Sequence, residues 1–222
     1  MEVNQIKNQV REQGYSIFKL APETIKYLRS LDLSDLEDGF HVNNAKHCAV
    51  VSEVEELNNI IFSLKKDCIS EKTAWNMINV VRVVKQKSSE KYRTHYDSHM
   101  YTLVVPIQTS NEKDILKGQL YLAPNSRNQP KLDIINFIQK ALAFRWRGEA
   151  GYAKLEALNK IKLFDLQFGE AILFNGSRSL HGNLANESQE TRVTMITHMA
   201  DPFPNGIGAL MRKVRKFTGL RK

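Results

Sequence analysis

The chain has 222 residues, a formal net charge of +8 and two cysteines. That length supports one substantial core and is ordinary for a single β-barrel domain, while Cys48 and Cys68, without metal-type spacing, give no disulfide framework. Residues Met1 to Gln9 lack the apolar stretch of a signal peptide and no later run reaches the length of a membrane span, so a soluble, cytoplasmic protein is expected.

In chain order, Val10-Arg-Glu-Gln-Gly-Tyr-Ser-Ile-Phe-Lys19 reads as a helix end, a glycine and a strand. Val54, Leu57, Ile61 and Leu64 then repeat at helical spacing, with Ser52 as N-cap and Glu55 at the capping-box position, and this helix is expected to back one sheet. Strand-like segments follow at 78–84, 95–107, 118–123, 163–174 and 192–199. Between them, 130–162 reads as helical: Ile134, Ile138, Ala141 and Leu142 share a face, and Tyr152, Leu155, Glu156 and Leu158 follow a Gly148/Gly151 break. In Phe144-Arg-Trp-Arg147 two cations stand beside two aromatic rings, suited to a phosphate, carboxylate or planar group. A packed helix with solvated arginines is the structural alternative. There is no internal repeat.

Chemistry concentrates in the later strands. Along the strand containing His95, side chains alternate, so His95 and Asp97 share a face, as do Leu103 and Val105. An unpaired acid buried there would be costly, and a metal removes the cost. His181 follows the buried-looking strand Phe168 to Gly176, and after ten intervening residues Arg192 opens another strand, whose Arg192, Thr194, Ile196 and His198 share a face. Two imidazoles and one carboxylate are the ligand set of a facial iron(II) site with positions open for a co-substrate and O₂. A guanidinium fork beside the Thr194 hydroxyl suits the far carboxylate of a dicarboxylate such as 2-oxoglutarate. His99 falls on the metal face as a pocket-lining residue; His41, His47 and His198 have no partner at diagnostic spacing and are read as structural.

His95-Tyr-Asp97, Gly169-Glu-Ala-Ile-Leu-Phe174, His181-Gly182 with Asn186 and Ser188, and Arg192 at its interval resemble the phytanoyl-CoA dioxygenase-like branch of the 2-oxoglutarate oxygenases, over about residues 5–200. The resemblance implies a double-stranded β-helix, a jelly-roll or cupin-like barrel that is mainly β with flanking helices. It further implies Fe(II) on His95, Asp97 and His181, co-substrate contacts from Arg192, Thr194 and Asn183, and the 130–162 insertion as a lid. Asn183 stands where the family commonly has serine. Related halogenases replace the ligand carboxylate by glycine or alanine, so Asp97 implies hydroxylation or another oxidative outcome, with succinate and CO₂ as co-products.

The expected organisation is one oxygenase domain over 1–200 and a basic tail over 201–222. The tail holds six Lys/Arg against one Asp, a net +5, which leaves +3 for the rest. Ile207, Leu210, Met211, Val214 and Phe217 repeat at helical spacing within it, a pattern suited to peripheral membrane contact or to docking on the barrel. A small-molecule, anionic or lipid-linked substrate is expected. A nucleic-acid demethylase of the same cofactor class is disfavoured, since those enzymes usually carry a second arginine shortly after the first and none follows Arg192 closely. A cupin-like metal barrel that does not use 2-oxoglutarate is the other alternative.

Overall fold

In the first helix, α1 (Val3–Gln13), Ile6 and Val10 lie one turn apart and are both buried. Gly14 ends it in the left-handed conformation, φ 88°, with its N–H on the Val10 carbonyl, which turns the chain directly into strand β1 (Tyr15–Lys19). The computed structural model describes residues 2–33, 35–42, 53–67, 73–112 and 115–207. His47, Cys48, Ser52, Cys68 and the tail beyond Ile207 lie outside them, so the N-cap expected at Ser52 and the expected tail helix are not described.

The remaining elements are α2 (Pro22–Arg29), β2 (Gly39–Val42), α3 (Glu55–Asp67), β3 (Ala74–Val84), β4 (Tyr101–Gln108), β5 (Leu120–Ala123), α4 (Asp133–Leu142), a 3₁₀ turn (Ala143–Trp146), α5 (Glu149–Ala157), β6 (Lys162–Phe164), β7 (Glu170–Phe174), β8 (Leu180–Asn183) and β9 (Arg192–Asp201). They form two antiparallel sheets, a six-stranded one in the order β1-β7-β4-β9-β3-β2 and a three-stranded one in the order β6-β5-β8. The outer face of the large sheet, with Val81, Val83, Leu103, Val105 and Met195, packs against α1 and against Leu57, Ile61 and Leu64 of α3. Each fully buried Leu or Ile contributes about 1.5–3 kcal/mol, so the period of α3 read in the sequence is enough to hold it on the sheet. The inner face, with Val104, Ile172 and Phe174, meets Leu120, Leu122 and Phe164 of the small sheet, and the candidate site opens above this second core. No helix among the described residues is long and apolar enough to cross a membrane.

One expectation is corrected. The strand expected over 95–107 begins only at Tyr101, and His95 makes an isolated bridge ahead of a bent stretch. The bend shifts the alternation by one residue: Thr102 and Val104 line the inside with the site, whereas Leu103 and Val105, expected on the His95 face, point into the outer core. The 130–162 region is helical over 133–142 and 149–157, as expected, and Ile134, Ile138 and Leu142 share a face that points outward, 49%, 50% and 56% exposed.

Candidate metal centre

His95 and His181 hold each other through the backbone: His95 N donates to the His181 carbonyl at 2.9 Å and His181 N to the His95 carbonyl at 3.0 Å. Their rings stand 4.4 Å apart. Asp97 is pinned separately, its N–H donating to the Gly176 carbonyl at 3.0 Å. Gly176 must lack a side chain, because a Cβ there would overlap the Thr102 hydroxyl and the Asp97 carboxylate. Thr102, opposite Phe174 on β7 and His198 on β9, donates to Asp97 Oδ2 at 2.5 Å. One donor atom from each of His95, Asp97 and His181 lies within 4.8 Å of the others.

The ring orientation fits a cation. His95 Nδ1 lies 2.6 Å from the Arg93 carbonyl and His181 Nδ1 2.9 Å from the Ser179 carbonyl. A carbonyl only accepts, so each Nδ1 carries a proton and each Nε2 turns toward Asp97, at 3.4 Å in both cases. Imidazole lone pairs converging on a carboxylate repel it unless positive charge stands between them. At His181 a proton serves: burial would lower its basicity, but the Asp97 carboxylate, its hydrogen bond and the Ser179 carbonyl outweigh burial and raise it. His95 is held below the ordinary histidine range by desolvation and by the neighbouring His181. Burial alone would raise the Asp97 carboxyl, yet His181 and His198 overcome it and keep Asp97 well below the carboxylate range. A divalent ion at this point would displace the proton and satisfy all three groups. The donor set of two imidazoles and one carboxylate fits iron(II).

His198, read from spacing as structural, sits in the cavity wall with Nδ1 3.5 Å from Asp97 Oδ2 and 3.2 Å from Thr102 Oγ1. Its signal was present, since it shares the β9 face with Thr194 and Ile196, which also line the cavity. His99, expected to line the pocket, is 4% exposed and stacks on His198 with ring centroids 5.6 Å apart, outside the wall. His41 Nε2 lies 2.8 Å from the Glu37 carbonyl.

Below the metal ligands the cavity, about 150 Å³, runs between Val104, Phe174 and Ile196 on one side and Leu120 on the other. Thr194 reaches it directly. Asn183 does too, but its amide is taken up by the protein, Nδ2 donating to the Gly118 carbonyl at 2.9 Å and Oδ1 accepting from Arg82. Arg192 continues the same strand face, 3% exposed and outside the cavity wall, and none of its three guanidinium nitrogens has a hydrogen-bond partner among the described residues. Burial pushes its pKa down to about 10, against the pull of Asp165. A buried guanidinium without a partner is costly, and a ligand carboxylate is the group that would complete it.

Sequence reasoning missed Arg82, Arg93 and Phe40, while Arg147 belongs to the Phe144–Arg147 run it had singled out. Arg82 interrupts the β-branched run of β3, faces Thr194 across the sheet and donates to Asn183 and to the Glu90 carbonyl. At the mouth, Phe40 of β2 lies between Arg82 and Arg93, whose guanidinium carbons are 5.4 and 5.6 Å from its ring centre. Arg147, after the 3₁₀ turn, completes this rim, its Cζ 4.0 Å over the Phe144 ring. A charged residue on the inward face of an apolar strand was the available signal for Arg82.

The sequence matches no family model and no curated protein. Solved structures do resemble the fold. A non-heme alpha-ketoglutarate-dependent carbocyclase from nogalamycin biosynthesis, SnoK, superposes with a TM-score of 0.54 at 13% identity over 89% of this chain and 83% of that one. A Pseudomonas putida prolyl-4-hydroxylase gives 0.54 at 11% identity over 89% and 98%. EvdO2 from Micromonospora carbonacea var. aurantiaca, complexed with 2-oxoglutarate, gives 0.55 at 13% identity over 89% and 90%. The shared architecture is the double-stranded β-helix, an antiparallel barrel with flanking helices.

Proposed function

We propose that this chain is an iron(II)- and 2-oxoglutarate-dependent oxygenase that hydroxylates a small-molecule or lipid-linked substrate bearing an anionic group. The observation that carries the reading is the convergence of His95, Asp97 and His181 within 4.8 Å in a barrel cavity, on the same fold as proteins whose names specify 2-oxoglutarate or alpha-ketoglutarate. His95, Asp97 and His181 would hold the metal. Arg192, with Thr194 beside it on β9, would hold the distal carboxylate of the co-substrate, and the orphaned guanidinium is the feature that fits it. When bound, the metal and co-substrate supply the O₂-activating chemistry that releases succinate and CO₂.

The chain's own residues position and shield that chemistry. The Arg93 and Ser179 carbonyls fix the two rings so that Nε2 faces inward, and Thr102 holds the Asp97 carboxylate in place. Val104, Leu120, Phe174 and Ile196 exclude water beneath the metal ligands. At the mouth, Arg82, Arg93 and Arg147 line the cavity, and Glu90, which pairs with Arg93 at 2.6 Å, offsets only one of the three charges, so a carboxylate or phosphate on the substrate is favoured at the rim. The test is succinate formation with Fe(II) and 2-oxoglutarate against matched compounds with and without an anionic group. One class should stimulate turnover, and His95→Ala and Asp97→Ala should abolish it; iron-dependent turnover that persists in both variants contradicts the proposal.

A further inference from the structure

Helix α4 is amphipathic in the reverse sense from α1 and α3. Its polar side faces the barrel, where Arg127 donates to Gln139 Oε1 at 2.9 Å and to Asn136 Oδ1 at 3.0 Å, and Lys140 donates to Ser98 Oγ at 2.7 Å. Its apolar side is therefore turned out. Ile134, Ile135, Phe137, Ile138 and Leu142, with Phe144 in the following turn, are 40–56% exposed. A run of large apolar side chains on one solvent face marks a surface that is covered in use.

The charges around this face identify what covers it. Lys131 precedes the helix and Arg145 follows it, both exposed. The one acid in its first turn, Asp133, accepts from the Ile207 backbone N–H at 2.5 Å. Beyond that contact the sequence 208–222 carries six Lys/Arg and no acid, with Leu210, Met211, Val214 and Phe217 at helical spacing. Large hydrophobes ringed by cations match an anionic bilayer, whose acyl boundary takes the first and whose headgroups take the second. A second copy docked through the same face would oppose like charges, and coverage by the chain's own basic segment would leave its six cations unanswered.

We propose that the outward face of α4 and its 3₁₀ turn, flanked by Lys131 and Arg145, seats this chain on an anionic membrane surface. The seated face adjoins the cavity, since Lys140 bonds the residue next to Asp97 and the 3₁₀ turn leads into Arg147 of the cavity wall. The inference does not depend on the chemistry inside the barrel.

Co-sedimentation of the full chain with phosphatidylcholine vesicles, with and without phosphatidylglycerol, tests it. The chain should pellet with the anionic vesicles and be released by salt. Ile135→Glu combined with Ile138→Glu should lower partitioning at least about tenfold, and Lys131→Gln combined with Arg145→Gln by roughly fivefold or more, with circular dichroism unchanged. The proposal is overturned if the wild-type chain stays in the supernatant or if the glutamate pair partitions like wild type. It is also overturned if light scattering shows a dimer that the glutamate pair dissociates, or if 208–222 and α4 protect each other from hydrogen exchange without vesicles.

Discussion

Arg82 on β3 and Arg192 on β9 are two cations in one barrel, 6% and 3% exposed, each with its pKa pushed down to about 10, mainly by burial. Their surroundings differ. Arg82 is bonded through both terminal nitrogens, to Asn183 and to the Glu90 carbonyl, and belongs to the wall it stands in. Arg192 has the same burial and none of those bonds. A bonded guanidinium in a core holds structure, whereas one with no nitrogen bonded among the described residues calls for a partner from outside the chain. His95, Asp97 and His181 are bonded to the chain on their outer sides, and only their inner edges, two Nε2 atoms facing a carboxylate, call for a positive charge from outside.

The comparison can be broken most severely at the metal ligands. Asp97→Ala removes the negative centre of the cluster and should bring iron-dependent succinate formation to background while the far-ultraviolet circular dichroism stays that of wild type. Next in size is Arg192→Met. It should weaken 2-oxoglutarate binding to the iron-loaded chain by about 2–5 kcal/mol, a loss typical of truncating one partner of a buried charge pair. The thermal midpoint of the ligand-free protein should stay level or rise, because an uncompensated buried charge has been removed. Arg82→Met should show the opposite balance: two half-buried acceptors lose their donor, the protein loses about 1–3 kcal/mol, and the midpoint drops roughly 3–10 °C. A calorimetric scan in which both variants lose stability equally erases the distinction. Smallest is Thr102→Val, where loss of the bond that orients Asp97 should reduce iron affinity about tenfold by competitive chelation.

Much of this division was legible in the sequence. The alternation along Arg192 to His198 was readable because a strand has a fixed period, and the α1–glycine–β1 opening because glycine at a left-handed position is a local necessity. The register beyond Asp97 was not readable, since the bend between His95 and Tyr101 is set by contacts with Gly176 and Ala200 distant in sequence. His198 was set aside because spacing cannot report that β4 and β9 pair at Thr102 and bring it beside Asp97. The orientation of α4 was unreadable for a related reason. Periodicity locates an apolar stripe but carries no information about which side the barrel takes, and here the polar contacts of Arg127 and Lys140 decide it.

The central claim, that one ion completes the His95–Asp97–His181 cluster and one dicarboxylate the Arg192 guanidinium, is tested most directly by titrating 2-oxoglutarate into the Fe(II)-loaded chain under anaerobic conditions. A charge-transfer absorption should grow and saturate at one equivalent, fail to form in Asp97→Ala, and need about a hundredfold more ligand in Arg192→Met. No absorption in the wild-type protein, or saturation of Arg192→Met at the wild-type concentration, would contradict it.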